Sequence, residues 1–164
     1  MNDATPPKSP PANAGNLPDP SAATIQQTLG LHQVVFQEGG RAIVEYRAGM
    51  HMCHSGGIVQ GGFVTGWIDS AMAHAAFSLG REDVAPLSLE MKTSFFAPAR
   101  PGIVTAEAWI ERAGGATCFA EGVLRDAQGA VLAKASSTIR LASLKRAQEK
   151  SREALAAAAA AAAG

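Results

Sequence analysis

Four segments in the second half of the chain alternate apolar and polar side chains or run β-branched: Leu87–Phe96, Gly102–Arg112, Ala116–Asp126 and Val131–Leu141. That period of two is the habit of strands with one face on a core. Breaks at Pro98 and Pro101, at Gly114-Gly115 and at Gln128-Gly129 separate them, which predicts an antiparallel meander. Earlier, Val34-Val35-Phe36 and Arg41–Arg47 flank Glu38-Gly39-Gly40, the pattern of a hairpin. Ile25–Leu31 has the length of one short helix. Between hairpin and meander, Gly61–Leu79 follows a different pattern. It is rich in Ala and Met, lacks proline, and has few polar members, Thr65, Asp69, Ser70 and His74 among them. A helix apolar on nearly every side is a buried one, so the strands must wrap it. The expected class is α+β, a curved antiparallel sheet around one long central helix.

The two ends of the chain stand apart from this pattern. Residues 1–21 are proline-rich with almost nothing bulky, which predicts a disordered arm. Residues 143–164 include eight consecutive alanines, Ala156–Ala163. Alanine is the best helix former, yet a bare alanine tract offers no stripe to dock, so this stretch reads as a peripheral helix or an Ala-rich tail. Residues 22–142 remain as the domain, a size at which one core is comfortable.

Charge then removes several classes of function. Lys and Arg together number 14, matching 14 Asp and Glu, so no net field draws the chain to nucleic acid or an anionic membrane. The first thirty residues carry a single cation, Lys8, too few for the phosphate contacts of DNA binding. No Leu/Ile/Val/Phe-rich run has the length of a bilayer span, and the N-terminus lacks the layout of a secretory signal. Cys53 and Cys118 make no disulfide framework. A cytoplasmic location with free thiols is the expectation.

Candidate chemistry concentrates in His54–Asp69. Gly61-Gly62 opens the predicted helix, where unpaired backbone N–H groups and the positive end of the helix dipole can hold an oxyanion. Asp69 stands eight residues on, on the face of Thr65 and Ala73. A carboxylate in so apolar a helix is costly unless it is paired or reaches a wet cleft, which suits a general base. Eight residues at about 1.5 Å of rise put it about 12 Å from Gly61. A base and an oxyanion donor must each stand roughly 3 Å from the reacting group. One chain cannot bring both to one carbonyl, so joint action requires two antiparallel copies of the helix. An obligate dimer follows.

These residues resemble the hotdog-fold acyl-CoA thioesterases of the PaaI type, over about Val34–Leu141. The resemblance rests on the Gly61-Gly62 helix start, on Asp69, and on the strand Leu87–Ala99, which ends in Ala-Pro-Ala. It implies a hotdog fold and hydrolysis of an acyl-CoA, with no cofactor beyond the thioester substrate. It further implies a dimer or a dimer of dimers. Asp69 takes the place of the base or nucleophile and Gly61 that of the amide polarising the carbonyl across the dimer. His54 falls where an Asn or Gln orients the attack, and Ser88 matches a hydroxyl that holds the attacking water. Gln60 stands where many members have histidine; it can donate a hydrogen bond but cannot change charge.

Other residues read as structural. His51, Cys53 and His54 lack a fourth metal ligand at usable spacing. His74 reads as a satisfied core histidine and Cys118 as packing. Lys92, Arg100, Arg112 and Arg140 could meet the nucleotide end of CoA, but each reads as an ordinary surface charge. Two alternatives stay open, a hotdog hydratase or dehydratase and a non-catalytic acyl-CoA-binding module. The first usually places a catalytic histidine in a proline-bearing loop, and His51–Gln60 has no proline.

Overall fold

The structure, a computed structural model, describes residues 24–54 and 56–162; the predicted arm 1–21 lies outside the described residues. Helix α1 (Ile25–Thr28) leads to strands β1 (Leu31–Glu38) and β2 (Arg41–Ala48), followed by helix α2 (Gly61–Phe77). Strands β3 (Val84–Phe95), β4 (Gly102–Ala113), β5 (Thr117–Asp126) and β6 (Val131–Ser143) come next, then helix α3 (Leu144–Ala162). All six strands form one antiparallel sheet in the order β1-β2-β4-β5-β6-β3. The α+β class and the curved sheet around a long helix are as expected.

The size pattern of the side chains explains how the helix beds into the sheet. On the strands, Ala42, Ala106, Ala108, Ala120, Ala133 and Ala135 are buried. From α2, Trp67, Ile68 and Met72 fill the space those alanines leave. Gly122 of β5 is the tightest point: a Cβ there would stand 2.6 Å from Ile68 Cγ2 and 3.2 Å from Met72 Cε. Overpacking a filled core costs about 1–3 kcal/mol. Gly122→Ala is therefore expected to destabilise the fold by about that amount, read as a lowered midpoint in urea unfolding.

Several expectations need correction. The meander holds only for β4, β5 and β6; β3 pairs with β6 at the sheet edge, and β4 pairs with β2. The Pro98/Pro101 link is thus a crossover past two strands, not a hairpin. Three strand spacings are about 14 Å, and the six residues of the link can reach further than that. The first helix stops at Thr28 rather than Leu31. Thr24 and Gln27 cap it reciprocally, and Gly30 at φ +67° turns the chain into β1. Helix α2 ends at Phe77, two residues short of Leu79, with Gly80 at φ +69° beyond it. Nor is α2 wrapped on nearly every side. Gly61, Thr65, Asp69 and Ala73 are half-exposed, and Gly62 and Phe77 are exposed.

Leu144–Ala162 form α3, which lies almost wholly in solvent. Among the described residues, no helix is long and apolar enough to cross a membrane.

Candidate active site

The open stripe of α2 faces the edge strand β3. Three contacts run along it: Phe95 lies against Gly61, Thr93 meets Thr65, and Ser88 meets Asp69. The odd-numbered residues of this set sit at one end of β3 and the even-numbered one at the other. Simple alternation back from Phe95 would turn Ser88 away from the helix. A register shift between Ser88 and Glu90, where β3 pairs with β6, reverses the parity. The bulge therefore re-aims Ser88 at the carboxylate.

Ser88 Oγ donates to Asp69 Oδ1 at 2.6 Å, the short range of a hydroxyl bound to an ionised acceptor. Oδ2 is left for other work. Asp69 is half-exposed and Ser88 exposed, so the pair is open to water from its free side.

At the start of α2, Gln60 is the N-cap. Its Oε1 accepts the Gly62 N–H at 2.9 Å, and its backbone carbonyl takes Phe63 N–H. Sequence reasoning took both glycine amides as outward donors; Gly62 is spent on the cap. The Gly61 N–H has no hydrogen-bond partner among the described residues. Gln60 still has its amide N–H groups as donors, since only its oxygen is engaged.

Gly61 borders a cleft of about 350 Å³ walled by Ile58, Val64, Phe95, Phe96 and Pro98. A Cβ on Gly61 would stand 3.3 Å from Phe95 Cζ, so a side chain there would crowd the mouth of the cleft. Glycine here serves close approach rather than backbone freedom.

His54 lies in the loop before the helix, exposed. Its Nδ1 accepts the Gly56 N–H at 3.1 Å, which fixes Nε2 as the outward N–H when the ring is neutral. No hydrogen bond joins it to Asp69 or Ser88 within this chain, and Gly61 and Asp69 remain two turns apart on one uninterrupted helix. Two candidate half-sites result, Asp69 bonded to Ser88 and Gly61 beside its cap Gln60, while His54, bonded to Gly56, is hydrogen-bonded to neither.

Sequence reasoning missed Tyr46. It is buried beneath α2, stacked on Trp67 at 6.1 Å between centroids, and its hydroxyl has no hydrogen-bond partner. Burial pushes its pKa up to about 12, the nearby Ser70 hydroxyl tempers the rise, and the Asp69 charge adds to it. The Tyr46 phenol is thus neutral at physiological pH. In the sequence Tyr46 stood only as one position of the second hairpin strand, with no signal that set it apart. His74 is satisfied, with Nδ1 2.9 Å from Gln37 Oε1, but it is half-buried rather than core, and burial holds its pKa below the usual imidazole value. Cys118 is buried among apolar neighbours, which raises its thiol pKa.

Comparison with known proteins places the geometry in context. A family model described as the thioesterase superfamily matches residues 56–133. An esterase-named protein of Saccharolobus solfataricus is 30% identical over 103 residues, covering 63% of this chain and 73% of that protein. A solved structure from Ralstonia eutropha, named as a thioesterase and a phenylacetic acid degradation-related protein, is 26% identical. It superposes with a TM-score of 0.67 over 77% of this chain and 94% of that one. A Streptococcus pneumoniae protein named as a thioesterase and solved with coenzyme A shares the fold at 15% identity. Its TM-score is 0.63 over 68% of this chain and 85% of that one.

Proposed function

The chain belongs to the thioesterase superfamily, and we propose that it hydrolyses the thioester bond of an acyl- or aryl-CoA to the free acid and CoA. The observation that carries this reading is the pairing of Ser88 with Asp69 on the same helix that opens with an uncommitted Gly61 amide beside an apolar cleft. The relative from Ralstonia eutropha and the coenzyme A bound by the pneumococcal protein support the substrate class.

The reaction follows from the two half-sites. Asp69 Oδ2 takes a proton from water while Ser88 holds Oδ1, and the oxygen of that water bonds to the thioester carbonyl carbon. Negative charge moves to the carbonyl oxygen, where the Gly61 N–H and the helix N-terminus stabilise it. The C–S bond then breaks, and the sulfur leaves with the proton that Asp69 had taken. Gln60 and His54 Nε2 donate to the thioester and orient it. The acyl group occupies the cleft against Phe95 and Phe96.

Two copies supply one such site. Strand β3 is twelve residues long, ends the sheet, and shows Leu87, Leu89 and Phe95 to solvent, with Phe96 exposed just beyond it. A long apolar edge is a template for pairing with another strand. Antiparallel pairing of two β3 edges lays two α2 helices side by side, with Asp69 of one protomer against Gly61 of the other. This dimer, alone or doubled, is the working enzyme. We assign it to the cytoplasm, with both cysteines free as support.

A thiol-release screen over short-chain, medium-chain and aryl acyl-CoAs tests the activity. Hydration of an enoyl thioester without thiol release would instead support the hydratase reading, and tight binding without turnover the binding module. Within an active enzyme, Ser88→Ala is expected to lower kcat by about ten- to a hundredfold with KM little changed, since a hydrogen bond to a charged group is worth about 1.5–3 kcal/mol. Steady-state kinetics on one good substrate would check it.

A further inference from the structure

We propose that the cleft between the β3–β6 edge and α3 is a phosphate-binding site, in which Arg140, Arg146 and Lys150 receive the clustered phosphates of a nucleotide. The cleft measures about 320 Å³, and its walls hold those three cations and no carboxylate. Leu87 and Leu141 supply an apolar floor. Among the described residues the ion pair present is Arg41–Glu107, on another part of the sheet, so none of the three cations is neutralised by a carboxylate.

The chain builds this corner deliberately in structural terms. Asp83, which precedes β3, adopts φ +53°, a left-handed conformation unusual for a residue with a side chain. Its Oδ1 accepts the Lys145 N–H at 2.9 Å, its Oδ2 accepts Ser143 Oγ at 2.8 Å, and its carbonyl accepts Leu144 N–H. These bonds fix the first turn of α3 against the sheet. Arg146 and Lys150, four apart on one helix face, are thereby held over Arg140 of β6. Like charges at that spacing mildly destabilise a helix, and their convergence on a third cation is relieved by a polyanion. Two guanidinium forks and one ammonium suit phosphate oxygens. Leu87 is also the neighbour of Ser88, so the cleft and the reaction centre flank one short stretch of β3.

The phosphates can come from the nucleotide of a CoA substrate or from a separate nucleotide. The first source rests on the thioesterase reading; the cleft itself does not. The test titrates the full-length protein and the Arg146→Gln/Lys150→Gln double variant with inorganic pyrophosphate and with adenosine 3′,5′-bisphosphate, by calorimetry. Both positions are exposed on α3, and matching thermal unfolding curves would verify that the variant folds. The wild type is expected to bind both probes, the double variant to bind them at least about tenfold more weakly, and Lys150→Arg to retain them. Kinetics on acyl-CoA and on the same acyl group carried by pantetheine separate the sources. A rise of about tenfold in KM for acyl-CoA alone, with kcat unchanged, supports the site with the substrate's own nucleotide as occupant. Loss of probe binding with KM unmoved supports the site with a separate nucleotide. No probe binding by the wild type, or binding that survives the double variant, overturns the proposal. The titration needs no turnover, so absence of hydrolysis would count against the thioesterase reading alone.

Discussion

Asp69→Asn lowers kcat for acyl-CoA hydrolysis by roughly 10²–10⁴-fold if the carboxylate is the base, the range that positioned proton transfer contributes. Asparagine nearly preserves the volume and can still accept from Ser88 Oγ through its amide oxygen, so α2 and β3 keep their contact. What is lost is the ability to take the proton of water. The measurement is thiol release by the purified variant, beside a circular dichroism spectrum and melting curve that match the wild type. A folded variant with wild-type kcat would remove Asp69 from the chemistry, and with it the proposed mechanism.

A second result of comparable size concerns assembly. Gly61→Val places a branched side chain where even a Cβ would stand 3.3 Å from Phe95 Cζ, closing the approach to the Gly61 amide. Loss of an oxyanion donor costs about 10²–10³ in kcat, and the homodimer of this variant should fall by that much. Each variant alone is then nearly inactive. When Asp69→Asn and Gly61→Val chains are co-expressed, half of the dimers are mixed, and each mixed dimer has one intact site of two. Recovered activity of about a quarter of wild type follows from the two-fold arrangement. If Gly61 and Asp69 acted within one chain, the mixture would stay at the background of the two parents.

Local spacing made part of this site legible from the amino acids alone. Gly61-Gly62 before an apolar, proline-free run announces a helix start, and Asp69 follows within the same helix, where distance is set by the rise per residue. Features that depend on partners far along the chain were not legible in that way. The Pro98/Pro101 break looks the same whether the next strand lies beside β3 or three places away, between β2 and β5. Ser88 faces Asp69 only through the bulge before Glu90, and period-two reading from Phe95 points it the wrong way. Gln60 as a cap was hidden for another reason: one side chain can cap the helix with its oxygen and keep its N–H groups for a ligand. The cations of α3 went unread because an alanine-rich segment looks like a spacer, and only the Asp83 bonds fold it against Arg140.

The reversal of parity at the bulge has a consequence for how such a protein can diversify. Phe95 and, just past the strand's end, Phe96 border the cleft, while Ser88, which steadies the acid, lies in the separately phased first half of the same strand. Changes in bulk at the first pair can reshape which acyl tails are admitted without turning the hydroxyl off its carboxylate. Selectivity and reactivity can then drift at different speeds along a single stretch of backbone. Loss of one residue at Leu89, by contrast, would restore plain alternation with Ser88 still on the face of Phe95, and the two halves would share one register.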